Sequence, residues 1–82
     1  MDINQLKKFL EERIKWEGRA LLSKVNCYDN GLGGFLECKA KTQATYEDPY
    51  IPATTESDYG IILTYQRSMD VTIIKARYYL NE

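Results

Sequence analysis

The stretch that decides the fold lies between residues 21 and 44 and reads LLSKVNCYDNGLGGFLECKAKTQA. Apolar and polar side chains alternate on both sides of a central segment rich in Gly, Asn and Asp, which is the pattern of a β-hairpin. If the hairpin is symmetric about Leu32-Gly33, Cys27 lies opposite Cys38 and the apolar rows of both strands share one face. The pattern therefore predicts two antiparallel strands, and the lysines at positions 39 and 41 should lie on the face away from the core.

An amphipathic helix is predicted before the hairpin, over residues 3–17. Asp2 and Gln5 have the spacing of a capping box, and Gly18 is placed to end the helix. Between them apolar residues recur every three or four positions, as on one side of a helix. This apolar stripe consists of Ile3, Leu6, Leu10 and Ile14, with Phe9 and Trp16 beside it.

A second hairpin is predicted after residue 58, where alternation resumes. We place its tight turn at Ser68-Met69, which sets Leu63 opposite Ile74. The order αββ-loop-ββ predicts an α+β fold, in which the N-terminal helix packs on a four-stranded antiparallel sheet built from two β-hairpins. Residues 1–82 are expected to form a single domain, and the sequence does not decide which strands are central.

The connection between the hairpins, residues 46–58, reads YEDPYIPATTESD. Its two prolines interrupt the strand pattern, so we expect a long loop with room for a short edge strand and with solvated carboxylates of ordinary pKa. Loops of this length in compact domains are often functional, and tyrosine is enriched at protein interfaces. Either this loop binds a partner or it is a mobile acidic loop whose tyrosines pack on the core. The predicted partner-binding residues of the loop are Tyr46, Glu47, Asp48 and Tyr50.

The sheet surface away from the helix is the second predicted binding surface. On the predicted registers this surface is both basic and partly apolar, and an exposed apolar area of that extent usually implies a covering partner. The predicted protein-binding residues are Ile62, Ile73 and Tyr79. Basic residues beside aromatic ones on a sheet also bind single-stranded nucleic acid. The residues for that alternative are Lys24, Lys39, Lys41, Lys75, Arg77 and Tyr28.

Composition argues against several classes of function. Eleven basic and twelve acidic residues give a net charge of -1, which is unlike a protein that wraps duplex DNA or an anionic membrane. Histidine, the usual general base, is absent, and two cysteines are too few for a zinc site. The glycines at positions 31–34 lead into a strand, whereas a phosphate-binding loop leads into a helix. We therefore predict no catalytic residues, no metal site and no cofactor.

The N-terminal residues and the two cysteines together predict a compartment. The chain begins Met1-Asp2-Ile3-Asn4, without the basic start and apolar run of a secretory signal, and it has no apolar run long enough to span a membrane. We expect a cytoplasmic protein whose cysteines are thiols, buried as small hydrophobic side chains on facing strands. A disulfide and a redox pair are the alternatives.

These features predict a small non-enzymatic protein-interaction module. It would be a regulator, adaptor or inhibitor of the kind that phages and mobile elements encode, and it would dock on a larger protein through the sheet surface, the loop 46–58, or both. Binding of single-stranded nucleic acid through the sheet surface is the alternative function. A homodimer closed around Ile62 and Ile73 is a third interpretation, and no membrane partner is expected.

Overall fold

A computed structural model of the protein describes residues 1–49 and 59–80 with their side chains and residues 53–56 through their backbone. Neighbouring strands are antiparallel throughout, and the sheet order is β1-β2-β5-β4-β3. The predicted α+β fold, a helix on an antiparallel sheet built from two hairpins, is confirmed. A short edge strand is added inside the predicted loop. The elements are helix α1 (Ile3–Trp16) and strands β1 (Asn26–Asn30), β2 (Phe35–Gln43), β3 (Ala53–Glu56), β4 (Ile61–Ser68) and β5 (Val71–Tyr79).

Both ends of α1 are capped by local hydrogen bonds. At the start, the Asp2 carboxylate accepts from the backbone N–H of Gln5 at 2.9 Å, and the Gln5 side chain accepts from the N–H of Asp2 at 2.8 Å. At the end, Gly18 takes φ +71°, and the backbone N–H of Arg19 donates to the carbonyl of Ile14 at 3.2 Å. This Schellman arrangement turns the chain back, and Arg19 then reaches the residues that follow β2.

The core lies between α1 and one face of the sheet. The helix contributes Leu6, Leu10 and Ile14, all buried, and the even-numbered residues of β2 meet them. The predicted parity of β2 is confirmed, because Lys39 and Lys41 are exposed on the other face. The remaining buried apolar residues of this core are Val25, Leu36, Cys38, Ala40, Ile61, Leu63, Ile74 and Ala76.

Two details of the predicted hairpins are wrong. The first strand begins only at Asn26, and Leu21, which is 50% exposed, makes a single isolated bridge to Thr42. In the second hairpin the turn lies at Met69-Asp70, so that Leu63 pairs with Ala76 instead of Ile74. The second error is a slip of two residues. Because side chains alternate with a period of two, the slip leaves every side chain on its predicted face.

The two cysteines form a disulfide, and the expectation that they are thiols is wrong. Cys27 of β1 and Cys38 of β2 lie directly opposite each other as predicted, with Cα atoms 4.0 Å apart and sulfur atoms 2.02 Å apart. Cys38 is fully buried in the core under α1. The bond therefore ties the short edge strand β1 covalently to its neighbour β2.

Candidate functional site

The sheet face turned away from α1 is formed by the even-numbered residues of β1 and β4 and the odd-numbered residues of β2 and β5. We call this surface the open face. It contains every sheet residue that the sequence predicts for partner binding or nucleic-acid binding, with Ile62, Ile73 and Lys75 half-buried and Tyr28, Tyr79, Lys39 and Lys41 exposed. Lys24, which precedes β1, is also exposed.

Three aromatic rings and one guanidinium group gather at one end of the open face, and we call them the aromatic cluster. The ring centroid of Phe35 lies 6.1 Å from that of Tyr28 and 5.9 Å from that of Tyr79. The guanidinium carbon of Arg77 lies 4.3 Å from the Phe35 ring centre, a cation–π contact. Tyr28 and Tyr79 remain 43% and 44% exposed, so the rim of the cluster is accessible.

Glu37 forms hydrogen bonds with two members of the aromatic cluster, Tyr28 and Arg77. Its buried carboxylate accepts from Arg77 at 2.7 Å (Nη2) and 3.1 Å (Nε), and from the hydroxyl of Tyr28. Burial by itself would raise the pKa of Glu37, but the hydrogen bonds from Tyr28 and Arg77 outweigh burial and lower it. The same hydrogen bond raises the pKa of Tyr28. Sequence reasoning missed this coupling, although a lone glutamate among lysines on β2 was a signal for an internal ion pair.

A groove of about 430 Å³ crosses the middle of the open face, and we call it the lysine groove. Lys39 lies directly opposite Lys75 in the ladder of β2 and β5, and Lys41 follows two residues along β2. Within the ranges that the structure describes, no carboxylate lines the groove and these three lysines form no ion pair. The groove is lined by Leu22, Ser23, Asn26, Lys39, Ala40, Lys41, Gln66, Ile73 and Lys75.

Asp48, predicted as a solvated partner-binding residue, is instead buried, with 8% of its surface exposed. Its carboxylate accepts from both terminal nitrogens of Arg19, at 2.7 and 2.5 Å, and from the hydroxyl of Thr72 at 2.6 Å. The backbone N–H of Thr45 donates to it at 2.9 Å. The Arg19 guanidinium holds the pKa of Asp48 well below its usual range. The prediction of a solvated carboxylate is therefore wrong, because Asp48 anchors the chain that leaves β2.

Glu17 extends this anchor to the helix and to β4. Its carboxylate accepts from Arg13 and Arg19, each at 2.6 Å, and from the hydroxyl of Tyr65 at 2.5 Å. Burial, followed by the hydrogen bond to Glu17, raises the pKa of Tyr65 to about 12. The network fastens the C-terminal end of α1 to the sheet. Charged residues on both sides of Gly18 were the available sequence signal for it.

Of the other predicted loop residues, Glu47 lies apart from the open face. Tyr46 is 96% exposed, and Glu47, also exposed, lines a pocket with Trp16 at the C-terminal end of α1, on the side of the sheet that the helix covers. Tyr50 lies outside the described residues. Within the described part of the loop, Glu47 and Asp48 thus lie away from the open face.

No protein-family model, no curated protein and no solved structure matches this chain. Among the residues that the structure describes, no three side chains of the metal-binding types cluster closely enough to hold an ion. The described part of the chain contains no helix with both the length and the apolar character needed to cross a bilayer.

Proposed function

We propose that this protein is a non-enzymatic interaction module, a regulator, adaptor or inhibitor, that docks on a larger protein through its open face. The observation that carries the proposal is the lysine groove beside the aromatic cluster, a cationic and partly apolar surface on a chain of net charge -1. Tyr and Arg are enriched at protein interfaces. Because Glu37 already orients Tyr28 and Arg77, docking would cost little further side-chain entropy.

The electrostatic state of the buried carboxylates supports a non-enzymatic function. Glu17, Glu37 and Asp48 all have lowered pKa values, and each is bound by at least one arginine. A carboxyl group that acts as a general acid near neutral pH needs the opposite shift, toward the protonated form. These carboxylates are therefore suited to hold the fold together and to orient surface residues.

The compartment is a separate part of the proposal. We keep the cytoplasm as the proposed compartment, although a disulfide such as Cys27–Cys38 is typical of an oxidising compartment. Alkylation of the protein in acid-quenched cells, followed by mass spectrometry, distinguishes a cytoplasmic protein with free thiols from a protein in an oxidising compartment. Cytoplasmic thiols would carry two alkyl groups, and a bonded pair would carry none.

Site-specific photo-crosslinking in cells of the source organism tests the docking. A photoreactive residue at Gln66, which is exposed and lines the lysine groove, should give a discrete protein adduct that survives nuclease treatment. The matched control at Lys7, exposed on the outer side of α1, should not give that adduct. The adduct should weaken when Tyr79→Ala and Ile73→Ala are combined in the crosslinking chain. Equal adducts from both positions, or none from Gln66, would contradict the proposal.

Binding of single-stranded nucleic acid is the second candidate function, and one observation favours it. Lys39 and Lys75 form a cationic pair four residues along β5 from Tyr79, about 13 Å, so a short strand could contact lysines and aromatic rings together. This candidate predicts an adduct that nuclease removes and an affinity that falls steeply with salt. The proposed protein docking predicts an adduct that nuclease leaves intact, so nuclease treatment separates the two candidates.

Self-association through the same face is a third candidate, and the half-buried Ile62 and Ile73 would lie at its centre. Sedimentation velocity over a wide concentration range tests it directly. A mass that stays monomeric at the highest concentration would exclude a homodimer, and a doubled mass that Ile73→Asp abolishes would establish one.

A further inference from the structure

The composition of the lysine groove indicates what kind of partner segment it binds. We infer that the groove takes an extended acidic segment of the partner protein, with carboxylates on alternate residues. This inference rests on the proposed function, because it names the chemistry of the partner that docks on the open face. It goes further by assigning Lys39, Lys41 and Lys75 as the residues that select that partner.

Among the described residues, Lys39, Lys41 and Lys75 form no ion pair, although Lys75 contributes to lowering the pKa of Glu37 through its charge. Lys39 and Lys75 are directly opposite each other, and like charges in that position destabilise a sheet. Arg13, Arg19 and Arg77, by contrast, each hold a carboxylate. Carboxylates from outside, placed between the two opposed ammonium groups, would relieve this repulsion.

The spacing of the lysines matches an extended peptide. Lys39 and Lys41 are two residues apart on β2, which is about 7 Å along a strand. Alternate side chains of any extended chain repeat at the same distance, so carboxylates at positions i and i+2 would meet the Lys39–Lys75 pair and Lys41 in turn. Ile73 lies directly opposite Lys41 and also lines the groove, where it can pack against the methylene groups of the acidic side chains.

Two observations favour a peptide over a nucleic acid in this groove. The ring face of Phe35, where a base would stack, is covered by Arg77, and Arg77 is already bound to Glu37. The charge outside the groove also matters. Eleven basic residues less these three leaves eight, against twelve acidic ones. A long polyanion would extend past the groove and meet this negative remainder, whereas a short acidic segment would not.

Fluorescence anisotropy with the full chain provides the test. The probe is a labelled peptide that alternates Glu and Thr, and the comparison probes are a peptide of the same composition with its glutamates in one block, an alternating Lys-Thr peptide, oligothymidylate and inorganic phosphate. We expect the alternating Glu-Thr peptide to bind more tightly than the block peptide. Lys39→Glu and Lys41→Glu should each weaken it about tenfold, because an attraction becomes a repulsion.

Two controls keep the result interpretable. Lys8→Glu, on the exposed side of α1, should leave binding unchanged. The double variant Lys39→Glu with Lys41→Glu should instead bind the alternating Lys-Thr peptide, which shows that it remains folded and that its groove charge is reversed.

Three results would overturn the inference: equal affinity for alternating and block peptides, affinity that is insensitive to the lysine reversals, or lysine-dependent binding of oligothymidylate tighter than that of the Glu-Thr peptide. If peptide binding fails while the nuclease-resistant adduct from Gln66 persists, only this inference is wrong. If the adduct is also absent, the proposed function fails with it.

Discussion

Replacing Asp48 by asparagine should destabilise this protein more than any change to its exposed loop residues. The substitution keeps the shape of the side chain but removes the charge that faces the buried guanidinium of Arg19, whose side chain is only 6% exposed. Asp48 accepts four hydrogen bonds, and an asparagine amide would set one of its N–H groups against a donor. Among the described residues, Glu17 is the one charged partner that Arg19 would retain.

The expected cost follows from that geometry. Breaking a buried ion pair by removing one partner costs about 3–5 kcal/mol, because the other charge stays buried and uncompensated. In a domain of this size each 1 kcal/mol lowers the melting temperature by roughly 4–8 °C, so we expect Asp48→Asn to lower it by about 12 °C or more. Glu47→Gln, one residue away and exposed, should change the free energy of unfolding by no more than about 0.5 kcal/mol.

The pH dependence gives a second measurement of the same interaction. The pKa of Asp48 is lowered in the folded state, so its contribution is present above the unfolded pKa of about 3.9 and is lost as the pH falls through the folded value. Urea denaturation followed by circular dichroism measures the difference in free energy of unfolding between wild type and Asp48→Asn. We expect this difference to be largest at neutral pH and to shrink below about pH 4. A difference in free energy of unfolding below about 1 kcal/mol at pH 7, or a difference that does not change with pH, would refute the assignment of Asp48 as a buried structural anion.

Three further predictions concern single contacts. Replacing Cys27 and Cys38 by alanine should lower the free energy of unfolding in urea by about 2–3 kcal/mol, and wild type with a dithiol reductant should lose a similar amount. Tyr65→Phe should lower the free energy of unfolding by about 1 kcal/mol, because the hydrogen bond to Glu17 is lost. In the wild-type protein, ultraviolet absorbance should show one phenol that titrates near pH 12. The stability that this phenol contributes should decline as the pH rises from about 10 to 12. Met69→Gly should raise the melting temperature, with a gain of up to about 1 kcal/mol, because Met69 holds φ at 56° in the β4–β5 turn; an unchanged or lower value would contradict that strain.

Features that depend on neighbouring residues were predictable from the sequence. The capping box of Asp2 and Gln5 and the stripe that includes Leu10 act within a few residues of one another, and alternation in β2 assigned each side chain to a face. The predicted register of the second hairpin differs from the observed register by two residues. Alternation excludes odd shifts only, and a turn with Met69 at positive φ lacks the Gly or Asn signal that would have located it.

The arrangement of the candidate site depended on contacts between distant residues. Arg19 and Asp48 are 29 positions apart, and no local pattern relates them. The hydrogen bonds that Tyr28 and Arg77 donate to Glu37 also depend on tertiary structure, because they form only when β1 and β5 lie on either side of β2.

By itself, the sequence determined the helix, the strands of the two hairpins and the apolar face of each of these strands, because helix and strand periodicity are properties of residues close in the chain. Tertiary structure alone decided that β2 pairs with β5, and hence that Lys39 meets Lys75. The apolar rows of the two hairpins would face the helix in either strand order, so the local pattern is compatible with both. The choice is made by how α1 and the sheet bury those rows together, and the lysine groove exists only as a result of it.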